Sequence, residues 1–148
     1  VGQSSNDSTT ITGQIGEFQS SSVATGSAVA LTSTVAANIT SFSLTAGDWD
    51  VYATAYLKGG ATTTLTVATA SLSTTSATHD TTNGRIARES DTARTRFAAG
   101  DISLTVGAAR FSLSATTTVY FVASATFLVD TCSAYGIIQA RRRRHYPG

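Results

Sequence analysis

Apolar side chains recur at every second position through most of this chain, and no segment repeats them three and four apart as a helix would. The clearest run is 49–57. Trp49, Val51, Ala53, Ala55 and Leu57 fall on one face, and Asp50, Tyr52, Thr54 and Tyr56 on the other. At strand rise this run is about 30 Å long. "TAGD" before it forms a turn, and Gly59–Gly60 closes it. Phe18 and Val23, Val29 and Leu31, and Phe42 and Leu44 mark earlier extended segments. Leu65 and Val67, both expected to point inward, mark the next. "ARTRFA", "DISLTV", "ARFSLS", "VYFVASATFLV" and "CSAYGIIQARRRR" resume the alternation later. Seven to nine antiparallel strands joined by short turns predict an all-β fold, a β-sandwich or jelly roll.

Two stretches break the simple pattern. Residues 73–92 carry the weakest core signal, so they read as a long connection, and long connections in compact domains are often functional. Within them Asn83, Arg85 and Arg88 are candidate contact residues. Arg85, Arg88, Arg94 and Arg96 alternate with Glu89 and Asp91, which fits a solvated loop of exchangeable surface pairs, a receptor-facing loop or, as the alternating signs favour between the last two, ion pairing across a subunit contact. The strand 119–129 is apolar on both faces. Its second face needs cover, either from a neighbouring subunit or from a longer loop folded over it. The first covering places Tyr120, Val122 and Leu128, with Tyr135 nearby, in an intersubunit contact.

Composition sharpens this picture. About a third of the residues are Ser or Thr, Pro occurs once, Met is absent, and charged residues make up 13% against 41% hydrophobic. The β-branched share favours pleated, half-buried surfaces, and the apolar fraction argues against disorder. The net charge of +1 conceals an asymmetry: without Arg141–Arg144, six basic residues face nine acidic ones. That balance argues against nucleic acid as a partner, since such binders spread basic residues over a face. No apolar run is long enough to span a membrane as a helix, and the chain does not open as a signal peptide does. A single cysteine, Cys132, excludes an internal disulfide and fits folding in a reducing cytoplasm. Three regions follow: an arm or stalk remnant over 1–14, a jelly-roll domain over 15–141 and a basic tail over 142–148.

Candidate chemistry is sparse. Asp48 sits in the turn and Asp50 on the outer strand face, both expected to be solvated, so neither has the environment that splits the pKa values of a catalytic pair. His79 and Asp80, with Glu89 and Asp91, fall in the long connection. Two His and one Cys are too few for a zinc site, and no acidic cluster supplies the oxygens calcium needs. Cys132 lacks the neighbouring base of a reactive thiol. Arg141–Arg144 could grip a polyanion or run out into solvent. No catalytic residue, metal ligand or cofactor site is expected, and the chain does not read as an enzyme.

"GEFQSSSVATGSAVALTSTVAANITSFSLTAGDWDVYA", residues 16–53, resembles a module of tailed-bacteriophage and prophage structural proteins, often found at the C-terminal end of tail-fibre-like proteins. "SLSTTSAT", "RFSLSATTTVYFVASATF" and "SAYGIIQARR" extend the resemblance to about residue 144. "GDWDV" and "AYGII" carry a fainter likeness to the trimeric jelly-roll heads of the tumour-necrosis-factor and complement type. The resemblance implies a homotrimeric virion component, made in the bacterial host cytoplasm and assembled with other virion proteins. Its implied role is adhesion to a host-surface glycan or protein as part of a tail or appendage fibre, or else capsid decoration or a head fibre.

Overall fold

The computed structural model describes residues 12–145. Nine strands follow one another: β1 (Phe18–Val23), β2 (Val29–Ala30), β3 (Ala37–Leu44), β4 (Gly47–Gly59), β5 (Thr64–Ser73), β6 (Ile86–Thr95), β7 (Ile102–Leu113), β8 (Thr117–Leu128) and β9 (Cys132–His145). Short 3-10 turns occupy Thr25–Ser27 and Phe97–Ala99. The front sheet has the order β1-β9-β4-β7, with β2 also on β9, and the back sheet β3-β8-β5-β6. All pairings are antiparallel.

The pairs β1·β9, β3·β8, β4·β7 and β5·β6 nest inside one another as a single long hairpin would. Successive pairs fall alternately in the front and back sheets. That is the jelly roll expected from the alternation. The core lies between the sheets. Trp49, Val51, Ala55 and Leu57 of β4 and Phe111 of β7 meet Leu65 and Leu72 of β5 and Val119 and Phe121 of β8. Burying each larger side chain contributes about 1.5–3 kcal/mol.

Several expectations change. A bulge between Leu65 and Val67 shifts the phase of β5, so Leu65, Ala68, Ala70 and Leu72 face inward and Val67 does not. Residues 73–92 are not one connection. The link spans 74–85, and β6 fills the rest. β6 is a sheet edge, and its sequence "IARESDTART" is charged because an edge strand must resist pairing with other chains. "ARTRFA" is the end of this strand and the 3-10 turn after it, while "DISLTV" and "ARFSLS" belong to one continuous strand, β7.

At the C-terminal side, β9 continues through Arg141–Arg144 to His145, so the basic run is strand rather than a free tail. Its alternation of Cys132, Ala134, Ile138 and Ala140 on the core face carries Arg142 inward too. Of the arm expected over 1–14, residues 1–11 lie outside the described residues, as do 146–148 of the tail.

Candidate functional surfaces

The four arginines have separate fates. Arg142 is fully buried against Glu17: its Nε donates to Glu17 Oε2 at 2.9 Å, and the two side chains are 0% and 2% exposed. Nη1 donates to the Ala46 carbonyl at 2.7 Å, Nη2 donates to Thr45 Oγ1, and the guanidinium lies 4.3 Å from the Trp49 ring centre. Gly47 makes room for it, since a Cβ there would stand 1.9 Å from Nη1. A bulge opposite Asp48–Trp49 leaves Arg143 as the extra residue of β9. Arg143 reaches Asp50 at 3.3 Å, Arg144 reaches Asp48 at 3.3 Å, and Arg141 stacks over Phe18. Each of the four thus makes a contact within the chain, though Arg143 and Arg144 keep 54% and 68% of their side chains exposed.

Asp48 is not the solvated turn acid that its sequence context suggests. Its side chain is 8% exposed and accepts hydrogen bonds from Arg110 Nε at 2.7 Å and Arg144 Nε at 3.3 Å. The bond from Arg110 dominates, and together the guanidiniums outweigh the effect of burial and hold its pKa below the usual carboxylate value. An acid fixed this way remains a charged anchor. Cys132 is buried, and burial pushes its thiol up to about 11, far from the thiolate a nucleophile needs.

Residues 74–85 fold over the outer face of the back sheet. His79 bridges two strands there: its Nδ1 pairs with Ser71 Oγ on β5 and its Nε2 with Ser124 Oγ on β8, both at 2.7 Å. Asn38 of β3 holds the same segment, donating to Ser76 Oγ and accepting from the Ala77 amide at 2.8 Å each. Of the expected loop contacts, Asn83 and Arg88 are exposed, whereas Arg85 is engaged. Arg85 pairs with Asp80 at 2.9 Å and lies 3.8 Å from the Phe111 ring centre. Arg94 pairs with Asp91 and Arg96 with Glu89. Three of the four arginines thus find acidic partners in their own chain, and Arg88 pairs with none among the described residues.

Val122 is fully buried in the single chain, at a position where Ser71 of β5 and Asn38 of β3 flank it. It is therefore unavailable to another subunit, and the folded-over loop is the covering this part of β8 has. Tyr120 is half-buried and Leu128 is 68% exposed at the far end of the strand.

Tyr135 lies elsewhere, on the outer face of the front sheet, and with it comes a group that sequence reasoning did not assemble. In register across β4 and β9, Tyr56 faces Tyr135, Thr54 faces Ile137 and Tyr52 faces Gln139. All six are partly exposed. The Tyr56 and Tyr135 rings stack with centroids 5.1 Å apart and an interplanar angle of 18°. Tyr135 donates to Asp101, and this hydrogen bond is the main cause raising its pKa. Asp50 with Arg143 borders one end of the band, and Lys58, donating to the Thr25 carbonyl at 2.8 Å, borders the other. The outer alternation of 50–58 and 133–139 was legible in sequence, but the pairing of those two strands was not.

Among the described residues no group of three or more His, Cys, Asp or Glu is placed to hold a metal ion. No helix among them is long and apolar enough to cross a membrane. Comparison with protein-family models, curated proteins and solved structures finds no significant match.

Proposed function

We propose that this chain is a bacteriophage virion structural module, assembled from identical copies, that serves adhesion in a tail or appendage fibre. The sequence resemblance over 16–144 supports the virion reading. The observation that carries assembly is the band of Tyr52, Tyr56, Tyr135 and Ile137 across the two central strands of the front sheet. Tyrosines present large, stiff, amphipathic area, which makes them frequent anchors of protein contacts. At the borders of the band Asp50 pairs with Arg143 and Asp101 accepts from Tyr135, which lowers the charge that like faces would bring together, while Lys58 keeps its own. Three copies would meet through this face, with Tyr135 at the contact and Tyr120 and Leu128 away from it. In this reading the module performs no chemistry, and the loop 74–85, with exposed Asn83, and the neighbouring Arg88 of β6 face the host surface.

Mass in solution and position on the particle test the two halves. A homotrimer at micromolar concentration is expected, reduced to monomer by Tyr56→Arg together with Tyr135→Arg. A monomeric parent chain overturns assembly. A label on this chain is expected at the tail or appendage of intact particles, and a label spread over the head lattice would assign capsid decoration instead.

A further inference from the structure

We infer that His79 is an acid-sensitive latch, holding residues 74–85 over the back sheet at neutral pH and releasing them when the ring gains a proton. The geometry points to this because the ring spans two strands with no acid beside it. A neutral imidazole has one donor and one acceptor nitrogen, and a serine hydroxyl can serve as either. Ser71, His79 and Ser124 therefore form a complete uncharged chain across β5 and β8. A serine oxygen can still accept the added N–H, but nothing offsets the positive charge that comes with it. Arg88 on β6 is the charged group that bears on the ring, and it repels a cation. Asp80, the next residue, is committed to Arg85 Nη1 and to the Thr82 amide. β3 presents Asn38 to the loop, β5 presents Thr69, Ser71 and Ser73, and β8 presents Tyr120, Val122 and Ser124, none of them a carboxylate.

Burial first and Arg88 second push the His79 pKa below its usual 6.5. With the loop open, the ring returns to about 6.5. A base whose pKa is lower in the closed state favours closure fully above the open-state value. That preference is lost progressively as pH falls below about 6.5. The link between the Leu72 amide and the Arg85 carbonyl does not titrate in this range and anchors the end of the loop, while opening must also break the two bonds to Asn38, which do not titrate and resist it. Opening uncovers Val122 and Ser71, which are fully buried when the loop is closed. The latch stands on this geometry alone; its use in controlling attachment rests on the adhesion reading.

Hydrogen exchange on the full chain between pH 7.5 and 5, corrected for the intrinsic pH dependence of exchange, reads the latch directly. Protection of amides 75–82 is expected to fall by up to tenfold per pH unit below about 6.5 and to level off below the closed-state pKa of His79, while β4 and β9 keep theirs. In His79→Gln, whose amide can bond both serines without titrating, loop protection should not vary with pH. Equal pH dependence in both proteins overturns the inference. Should the variant fail to fold, the ring of the parent chain is titrated by NMR, with His145→Gln identifying its signal. A His79 pKa below 6.5 supports the latch and one at or above 6.5 overturns it. Attachment measured separately on particles can fail without touching either result.

Discussion

Removing Glu17 while leaving Arg142 tests the deepest polar contact in the domain. Arg142 sits on the core face of β9 with every nitrogen engaged: Glu17, Ala46 and Thr45 accept from it and Trp49 lies beneath it. Glu17→Ala deletes the one negative charge in that shell and strands a fully buried cation. Losing one member of a buried pair costs about 3–5 kcal/mol, out of a total stability of about 5–15 kcal/mol for a domain. At about 2–4 °C per kcal/mol for a chain of this size, the melting temperature should drop by about 6–20 °C. Glu17→Gln keeps an oxygen opposite Nε and should cost less. Trp49, the single tryptophan, is a built-in probe of the site, so urea unfolding followed by its fluorescence and by far-UV circular dichroism should coincide. The double variant Glu17→Met with Arg142→Met should lose far less than the sum of the single losses, because no charge is left buried. A Glu17→Ala protein within 1 kcal/mol of the parent, or additive single losses, would falsify the claim that this pair secures β1 to β9.

Other predictions concern single positions. Gly136 has φ +149°, and a Cβ there would stand 2.1 Å from the Thr54 carbonyl oxygen, so Gly136→Ala should cost about 2–5 kcal/mol; a melting curve that superimposes on the parent's contradicts the close approach of β4 and β9. Cys132, with its pKa raised to about 11 by burial, should react with a thiol reagent only as fast as the protein unfolds, and labelling at the rate of a free thiol would show the site to be open. Asp48 has a folded pKa held below its usual 3.8, so its stabilisation is complete above that value and is lost as pH falls through the lower one. Asp48→Asn should lower stability at pH 6 and flatten its dependence between pH 2 and 5, measured by urea midpoints; an unchanged acid slope counts against the contact with Arg110 and Arg144.

Much of the fold was legible because the core obeys one period. Trp49 to Leu57 and Val119 to Phe127 alternate without interruption, and their inward sets are all buried, with Val122 of the outward set buried besides. What failed to read has local causes. β6 carries charge on both faces because it is an edge, and alternation is silent there. Val67 misled because a bulge resets the phase of β5, and nothing in "LTVA" announces an extra residue. Arg142 was readable in principle: carrying the alternation of β9 two residues past Ala140 puts an arginine in the core and calls for a buried acid, which Glu17 supplies. Asp48 changed character because its partner Arg110 is distant in sequence and adjacent only through the β4·β7 pairing. The tyrosine band and the cover over Val122 likewise depend on which strands and loops become neighbours, information that period alone does not carry.

The pairing of β1 with β9 has a mechanical consequence. Phe18 lies opposite Arg141, and the Gly16 amide bonds the Arg142 carbonyl, so the chain enters and leaves the body at one corner. A load drawn between the two flanks would pull at the mouth of this fork and part its rungs one at a time, not in parallel. The first rungs it would meet are those beside Glu17 and Arg142, which places the strongest polar clamp of the domain where peeling would begin.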